Sequence, residues 1–521
     1  MLQRTLFVLL TLLTLGVVAC ENIGPSTDTL KAEDVGNILR YDVNFPIGIL
    51  FPPEALSSGA SHAFPLLYSY LFVPDDKGKL LPDLAEKWTY DPQNRTWTIR
   101  LRKDVRFHNG WPVTAKDIIY SWKLFTSVFS GFSSIVKSIE VLSEQEIALR
   151  LTEDAPDFLD RIWDMEILPF PRGDKVDYFN HPVGSGPFQF VSRNAEKEVV
   201  LKANSSYFGG RPTIDKVVFK YIPDKERSWT RLLAGETDVV QEIAPNNLEI
   251  MKNLRGKFYI SKYTLSYYTI LLFNTRNSFF SNVRIRRAIA HSIDSNYIVN
   301  NILHGFGKVA VGPLGVDVPL QSLNVHPPEY DPENTLRLLA ESGWLPDNKT
   351  RFLKKQGQVF EFTLLVPAES RIKKQVAQYI QLCLNEIGLK VHLVSLPSDD
   401  IYVRYKGNNQ FQAVLTEFDS AHRRPEDLHQ IWCNESDKAS IDSGFFHPSV
   451  FRLCKQILNE KDPQENKQIF YRLNEIIISL QPGVFLYHKS AIDVMSRRIL
   501  LSVPFSLDHQ GIYRLRHAII K

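Results

Sequence analysis

The chain has 521 residues, 44% of them hydrophobic and 23% charged, and a formal net charge of +3. That length exceeds what one hydrophobic core sustains, so two or three domain-sized units are expected, and no segment is biased enough to stay unfolded. The near-neutral charge leaves no electrostatic footprint for nucleic acid, and no internal period of about 20 to 50 residues points to a solenoid or propeller.

The chain opens with "MLQRT", carrying one positive charge, and an apolar run "LFVLLTLLTLGVV" too short to span a bilayer comfortably. Residues 1–19 therefore read as a secretory signal peptide. Cys20, directly after Val17, Val18 and Ala19, resembles the lipobox of bacterial lipoproteins, whose cysteine is lipidated and becomes the new N-terminus. The resemblance implies an exported, periplasmic or cell-surface protein held to a membrane through Cys20. Two or three acyl chains, at about 0.8 kcal/mol per buried methylene, are enough for stable anchoring. An ordinary signal peptide followed by a chance cysteine is the alternative.

Further along, "NRTWTIRLRKDVRF" alternates Trp97, Ile99 and Leu101 with polar neighbours, which predicts a half-buried strand. "TAKDIIYSWKLF" follows as an amphipathic helix, with Thr114 suited to the N-cap and Ile118, Trp122 and Phe125 at three- and four-residue spacing. "EIALRLTE" and "EVVLKAN" read as strands and "KVVFKYIPD" as a buried strand ending at Pro223. "SWTRLLAGETDVVQEI" reads as a helix stopped at Gly235 before another strand. In the second half "PENTLRLLAESGW" is helical, and "KKQVAQYIQLCLNEIGLKVHLVSL" is a helix that stops at Gly388 and runs into an alternating strand. Helices feeding strands in this way point to α/β layers rather than a β-sandwich.

The residues that look most like chemistry come late. "EFDSAHRRPEDLH", from Glu417 to His429, places Asp419, Ser420 and His422 close together, the residue types of a hydrolase triad. A triad also needs an oxyanion hole and draws its members from distant segments; "VGSGP" around Ser185 lacks the nucleophile-elbow spacing. No enzyme activity is therefore expected. His422, Glu426 and His429 are spaced i, i+4, i+7, a metal-binding face if helical, but Pro425 interrupts that helix from inside. Solvated loop residues are the reading taken, with no metal and no cofactor. Cys383, Cys433 and Cys454 show no C-x-x-C spacing, so zinc is not expected. Two of them can pair in an oxidising compartment, Cys433 with Cys454 closing the shorter loop, but the sequence does not choose the partner. Arg284, Arg286 and Arg287 read as a charged helix face or an ion pair between domains. Tyr267, Tyr268 and Trp432 are cleft or core aromatics.

The segment "LLPDLAEKWTYDPQNRTWTIRLRKDVRFHNGWPVTAKDIIYSWKLF" resembles the signature region of the extracellular solute-binding proteins of family 5, which serve dipeptide and oligopeptide importers. "HPVGSGPFQF" with "NSSYFGGRPTIDKVVFKYIPD", then "LLAGETDVV", "FNTRNSFFSNVRIRRAIAHSID", "YDPENTLRLLAESGW" and "AQYIQLCLNEIGLKVHL" follow in the family's order. The resemblance covers roughly residues 40 to 490.

It implies a periplasmic-binding-protein-like α/β architecture, two lobes closing on a ligand by hinge motion plus an extra domain. Lobe I would comprise residues 21–70, 184–275 and 483–521, the extra domain 71–183, and lobe II 276–482. The glycines of "VGSGP" are turn residues in this reading. The implied function is the substrate-binding component of an ABC importer, a monomer that hands a dipeptide or oligopeptide to permease and ATPase subunits. A non-peptide solute such as a nickel complex is the alternative within the family, and an exported peptide hydrolase is the alternative from a different class. The family's peptide binders hold the ligand ammonium with an acid after a strand, and Asp419 fits that position, following "FQAVLTEF" and preceding "RPEDLHQIW". A carboxylate facing an ammonium in a closed, dry cleft makes a charge-assisted hydrogen bond. The family's tryptophan three residues earlier is Thr416 here, and the acid-to-proline spacing is longer. Arg423 and Arg424 are weaker candidates for a ligand carboxylate.

Overall fold

The computed structural model describes residues 37–500 and 519–520, except 55–58, 76–78, 129–134, 173–176, 195–196, 245–246, 248–249, 251–253, 255, 316–325, 348, 406–409, 421–431, 434–442 and 461. Strands form where side chains alternate. Thr96–Leu101 buries Trp97, Ile99 and Leu101. It lies inside a four-stranded antiparallel sheet ordered Ala85–Asp91, Thr96–Leu101, Glu146–Leu151, Val136–Ser143. The helix Ala115–Val128 packs there through Ile118 and Trp122, closing a core distinct from the others. At its start Asp117 reaches back, and its Oδ2 accepts from both the Thr114 N–H and the Thr114 hydroxyl at 2.7 Å, the return half of a capping box.

Eleven strands among the described residues make one sheet that runs through both lobes. From one edge it passes through Lys390–Leu396, Glu361–Pro367, Ala413–Asp419 and Phe258–Phe273. It continues through Gly483–Ser496, Val239–Val240, Ile38–Val43, Lys216–Tyr221, Glu198–Ala203 and Phe188–Asn194, with Gly307–Val309 also beside Gly483–Ser496. The parallel neighbours in lobe I are Ile38–Val43 with Lys216–Tyr221 and Val239–Val240. In lobe II they are Glu361–Pro367 with Lys390–Leu396 and Ala413–Asp419. The helix Arg371–Glu386 joins the lobe II pair, capped at its start by the Ser370 side chain and stopped before Gly388, whose φ of +89° a residue with a Cβ adopts only with strain.

Each lobe has its own filling. Leu39, Tyr41, Phe188, Val217 and Phe219 pack in lobe I. In lobe II, Phe273, Phe280, Phe360 and Phe362 lie on one face of the sheet, and Ile270, Val414, Phe418 and Phe485 on the other. Each fully buried phenylalanine contributes about 1.5–3 kcal/mol of apolar transfer.

Two sequence expectations are corrected. Arg286 is neither on an open face nor in an ion pair between domains. It is 5% exposed, and its guanidinium donates to the carbonyls of Leu480, Gln481, Phe280 and Ser281, satisfying the otherwise unpaired end of the helix Pro463–Leu480. Burial, with Arg287 beside it, pushes Arg286 down to about 10. The glycines of "VGSGP" serve close approach rather than a turn: a Cβ on Gly184 would lie 1.9 Å from the Leu67 carbonyl oxygen and one on Gly186 2.6 Å from that of Leu66.

Candidate ligand cleft

Among the described residues, two long strands, Phe258–Phe273 and Gly483–Ser496, belong to both halves of the sheet. Phe258–Thr264 pairs with Ser490–Ser496 in lobe I, and Tyr268–Leu272 pairs with Gly483–His488 in lobe II. Between Thr264↔Ser490 and Tyr268↔His488 the register breaks, so that residues 265–267 stand opposite Lys489 alone. Such a bulge bends the strands and loosens their ladder, the form expected of a hinge.

The register also shows where the strand ends of the two lobes meet. Along Val239–Val240 the partner falls from Met495 to Val494, so the carboxyl end of this strand points toward Lys489. Along Ala413–Asp419 the partner falls from Phe273 to Tyr267, so its carboxyl end arrives at the same bulge. In open α/β sheets the crevice outside the carboxyl ends of parallel strands is the ligand site. Here the carboxyl ends of both lobes converge on one crossing.

From lobe II, the Asp419 backbone stands opposite Tyr267, which is 43% exposed at the bulge. Ser420 fastens this point: its N–H donates to the Ser266 carbonyl at 3.1 Å and its hydroxyl donates to the same oxygen. Thr416 is buried, with Tyr405 also buried nearby in the same layer. Glu417 pairs with Lys373 at 3.0 Å.

From lobe I, Glu242 follows Val239–Val240 with φ of 47°, its N–H donating to the fully buried Asp493 at 2.9 Å. Its Oε2 accepts from Lys489 at 2.8 Å and from Lys225 at 2.9 Å. Burial acts to raise the Glu242 carboxyl, but the two ammoniums outweigh it and hold it at about 2. Next to Lys489, His488 is 4% exposed, and burial pushes its imidazole down to about 4.

The structure thus brings Asp419 to the hinge, while Cys20, Arg423, Arg424, His422, Glu426 and His429 lie outside the described residues. Ser420 and Ser185 are both buried, the hydroxyl of the first donating to the Ser266 carbonyl and the backbone carbonyl of the second accepting from the Ser69 hydroxyl. Tyr268 and Trp432 are core residues; Tyr267 is the exposed member of the group. Cys433 is bonded to Cys454, and Cys383 is a buried free thiol. Sequence reasoning missed Lys225, Glu242 and Lys489, which carry no motif and meet only through strand register.

The sequence model of the bacterial extracellular solute-binding proteins, family 5 (Middle), matches residues 79–440, more than half of the chain. The chain belongs to this family. Among its relatives, the oligopeptide-binding protein AppA of Bacillus subtilis is 27% identical over 451 residues, covering 81% of each chain. The nickel-binding periplasmic protein of Escherichia coli is 25% identical over 376 residues, covering 68% of this chain and 70% of that protein. The solved structure of AppA with a nonapeptide superposes with a TM-score of 0.79 at 22% identity, over 93% of this chain and 99% of that one. NikA of Brucella suis with Fe(III)-EDTA does so at 0.81 and 21%, over 93% and 100%. The family 5 fold, a mixed α/β periplasmic binding protein, is therefore that of this chain. Among the described residues no helix is long and apolar enough to cross a membrane, and no group of three or more His, Cys, Asp or Glu side chains is placed to hold a metal ion.

Proposed function

We propose that this family 5 protein is the substrate-binding component of an ABC importer and that it captures short peptides at the strand crossing, delivering them to a membrane permease. The observation that carries the reading is the convergence of both lobes' strand ends on the bulge at 265–267, with Asp419 contributed by one of them. A ligand bound there touches both lobes, and it stabilises whichever hinge state lets it make more contacts. In this reading the extra domain keeps the bounds expected above, while the two lobe boundaries expected at 275 and 483 move to the bulge, near residues 265–267 and Lys489; Asp419 receives the peptide ammonium, Arg423 and Arg424 lie near the ligand, and the chain works as a monomer. Export and anchoring go through Cys20, and a Cys20→Ala change releases the protein from the membrane fraction.

A thermal unfolding series with a mixed short-peptide library, and separately with nickel and histidine, tests the ligand class. Peptides raise the midpoint in proportion to RT ln(1 + [L]/Kd). A shift with the nickel complex alone refutes the peptide reading and favours the second one, a non-peptide solute, which the nickel-binding relative and Thr416 in place of the family's tryptophan support. Asp419→Asn weakens peptides with a free amino terminus at least about tenfold more than N-acetylated ones. Equal weakening of both removes Asp419 from the ammonium role.

A further inference from the structure

We propose that Lys225 and Lys489, sharing the carboxylate of Glu242, form an anion-recognising subsite on the lobe I wall of the cleft, and that it takes a carboxylate of the bound peptide. The inference rests on the peptide reading above and adds which chemical group lobe I recognises.

Three distant parts of the chain build the subsite. Lys225 opens the helix Lys225–Leu233, Glu242 follows the short strand Val239–Val240, and Lys489 lies opposite the hinge bulge. Two ammoniums meet one carboxylate oxygen, at 2.9 and 2.8 Å, so the three side chains between them carry one more positive than negative charge. The Lys225, Lys489 and Glu242 side chains are 39%, 33% and 27% exposed, neither sealed in a core nor fully in water. The neighbouring acids already accept from N–H groups. Asp493 beneath is fully buried and accepts from the Glu242 N–H, Asp224 caps the helix through the Glu226 and Arg227 N–H groups, and Glu226 accepts from Asn247.

An ammonium has three N–H donors, and each lysine directs one of them to Glu242. The remaining donors, at a cleft wall whose carboxylate is already occupied by two cations, suit a second carboxylate. The gain is largest when closure excludes water, because charge-assisted hydrogen bonds strengthen as the surroundings lose solvent. The Asp419 backbone reaches the same crossing from the opposite lobe, and a carboxylate is the complementary sign. A peptide with its positive end toward lobe II and a negative group toward lobe I would thus engage both lobes. A purely structural role, in which the trio ties helix, strand and hinge together, predicts no dependence on ligand charge.

The test compares the full chain with four short-peptide libraries: free C-terminus, amidated C-terminus, free C-terminus without Asp or Glu, and amidated without Asp or Glu. Binding is read by midpoint shift and by titration calorimetry. Wild type is expected to bind the amidated, acid-free library about tenfold or more weakly than the free-acid library. Loss on amidation alone assigns the terminal carboxylate, and loss on removing Asp and Glu alone assigns a side-chain one. In the Lys225→Gln, Lys489→Gln double variant the discrimination collapses. Glu242→Gln, which keeps both lysines and removes their competitor, sharpens it and serves where the double variant does not fold. Equal, clear binding of all four libraries by wild type overturns this inference while leaving the peptide reading intact. Binding of none overturns both.

Discussion

The bridge between Cys433 and Cys454 joins the segment after Asp419 to the helix Pro448–Asn459, and its removal has a calculable cost. The two cysteines are 21 residues apart, with Cα atoms 5.9 Å from each other, and both are buried beside Trp432 and Leu453. Closing a loop of that length lowers the entropy of the unfolded chain by an amount worth about 3.4 kcal/mol at 25 °C. Reduction leaves both sulfurs in the core and costs that entropic share alone. The Cys433→Ala, Cys454→Ala variant also vacates two buried sulfur positions and costs about 1–2 kcal/mol more. For a lobe of roughly 200 residues each kcal/mol moves the midpoint by about 2–4 °C, so reduction should lower it by about 7–14 °C. Thermal and urea unfolding with and without reductant, with alkylation to count free thiols, measures this. An unchanged midpoint in a sample whose thiols are shown to be free, or mapping that finds Cys383 in the bridge, refutes the reasoning.

Three further outcomes follow from the packing. Arg286→Met leaves the carbonyls of Leu480, Gln481, Phe280 and Ser281 without their buried donor and should cost about 4 kcal/mol by urea unfolding; a loss below about 1 kcal/mol would show that those carbonyls find water instead. Gly184→Ala forces a Cβ against the Leu67 backbone and should destabilise by more than about 3 kcal/mol, whereas the same change at Gly110, whose Cβ position is open but whose φ is +87°, costs only the strain of about 1 kcal/mol. His488 titrates near 4 when folded because it is buried, against an ordinary 6.5, so the unfolded chain takes up its proton first. Stability is therefore fully present above 6.5 and falls as pH drops from 6.5 to 4, by about 3 kcal/mol for this residue, and His108, also pushed to about 4 by burial, adds to the slope. His488→Gln should flatten that limb; an unchanged slope would show that His488 charges without penalty.

How much of this was legible in the sequence depends on how each element meets solvent. Thr96–Leu101 sits with one face buried, so its alternation shows in the letters, and Gly388 marks a helix stop because its φ demands glycine. Gly483–Ser496 is buried along almost its whole length, so "GVFLYHKSAIDVMS" has no period of two, and the second hinge strand could not be read from periodicity. Asp419 was reached through family resemblance and a strand-to-proline pattern. Lys225, Glu242 and Lys489 are ordinary letters in no motif, and it is the antiparallel register of Val239–Val240 against Met495 and Val494 that brings Glu242 to Lys489, about 250 positions away, while Lys225 comes from the helix just before that strand. The role of Arg286 was hidden for the same reason, since its partners are backbone carbonyls that no side-chain motif announces.

Native mass spectrometry of the protein purified without denaturation tests the central claim most directly, because a binding protein that closes on its ligand carries it through purification. The account predicts a one-to-one complex whose added mass is a mixture of short peptides, released on denaturation and depleted in the Asp419→Asn variant. A single bound species that is a metal chelate or another non-peptide solute, retained equally by that variant, would contradict it.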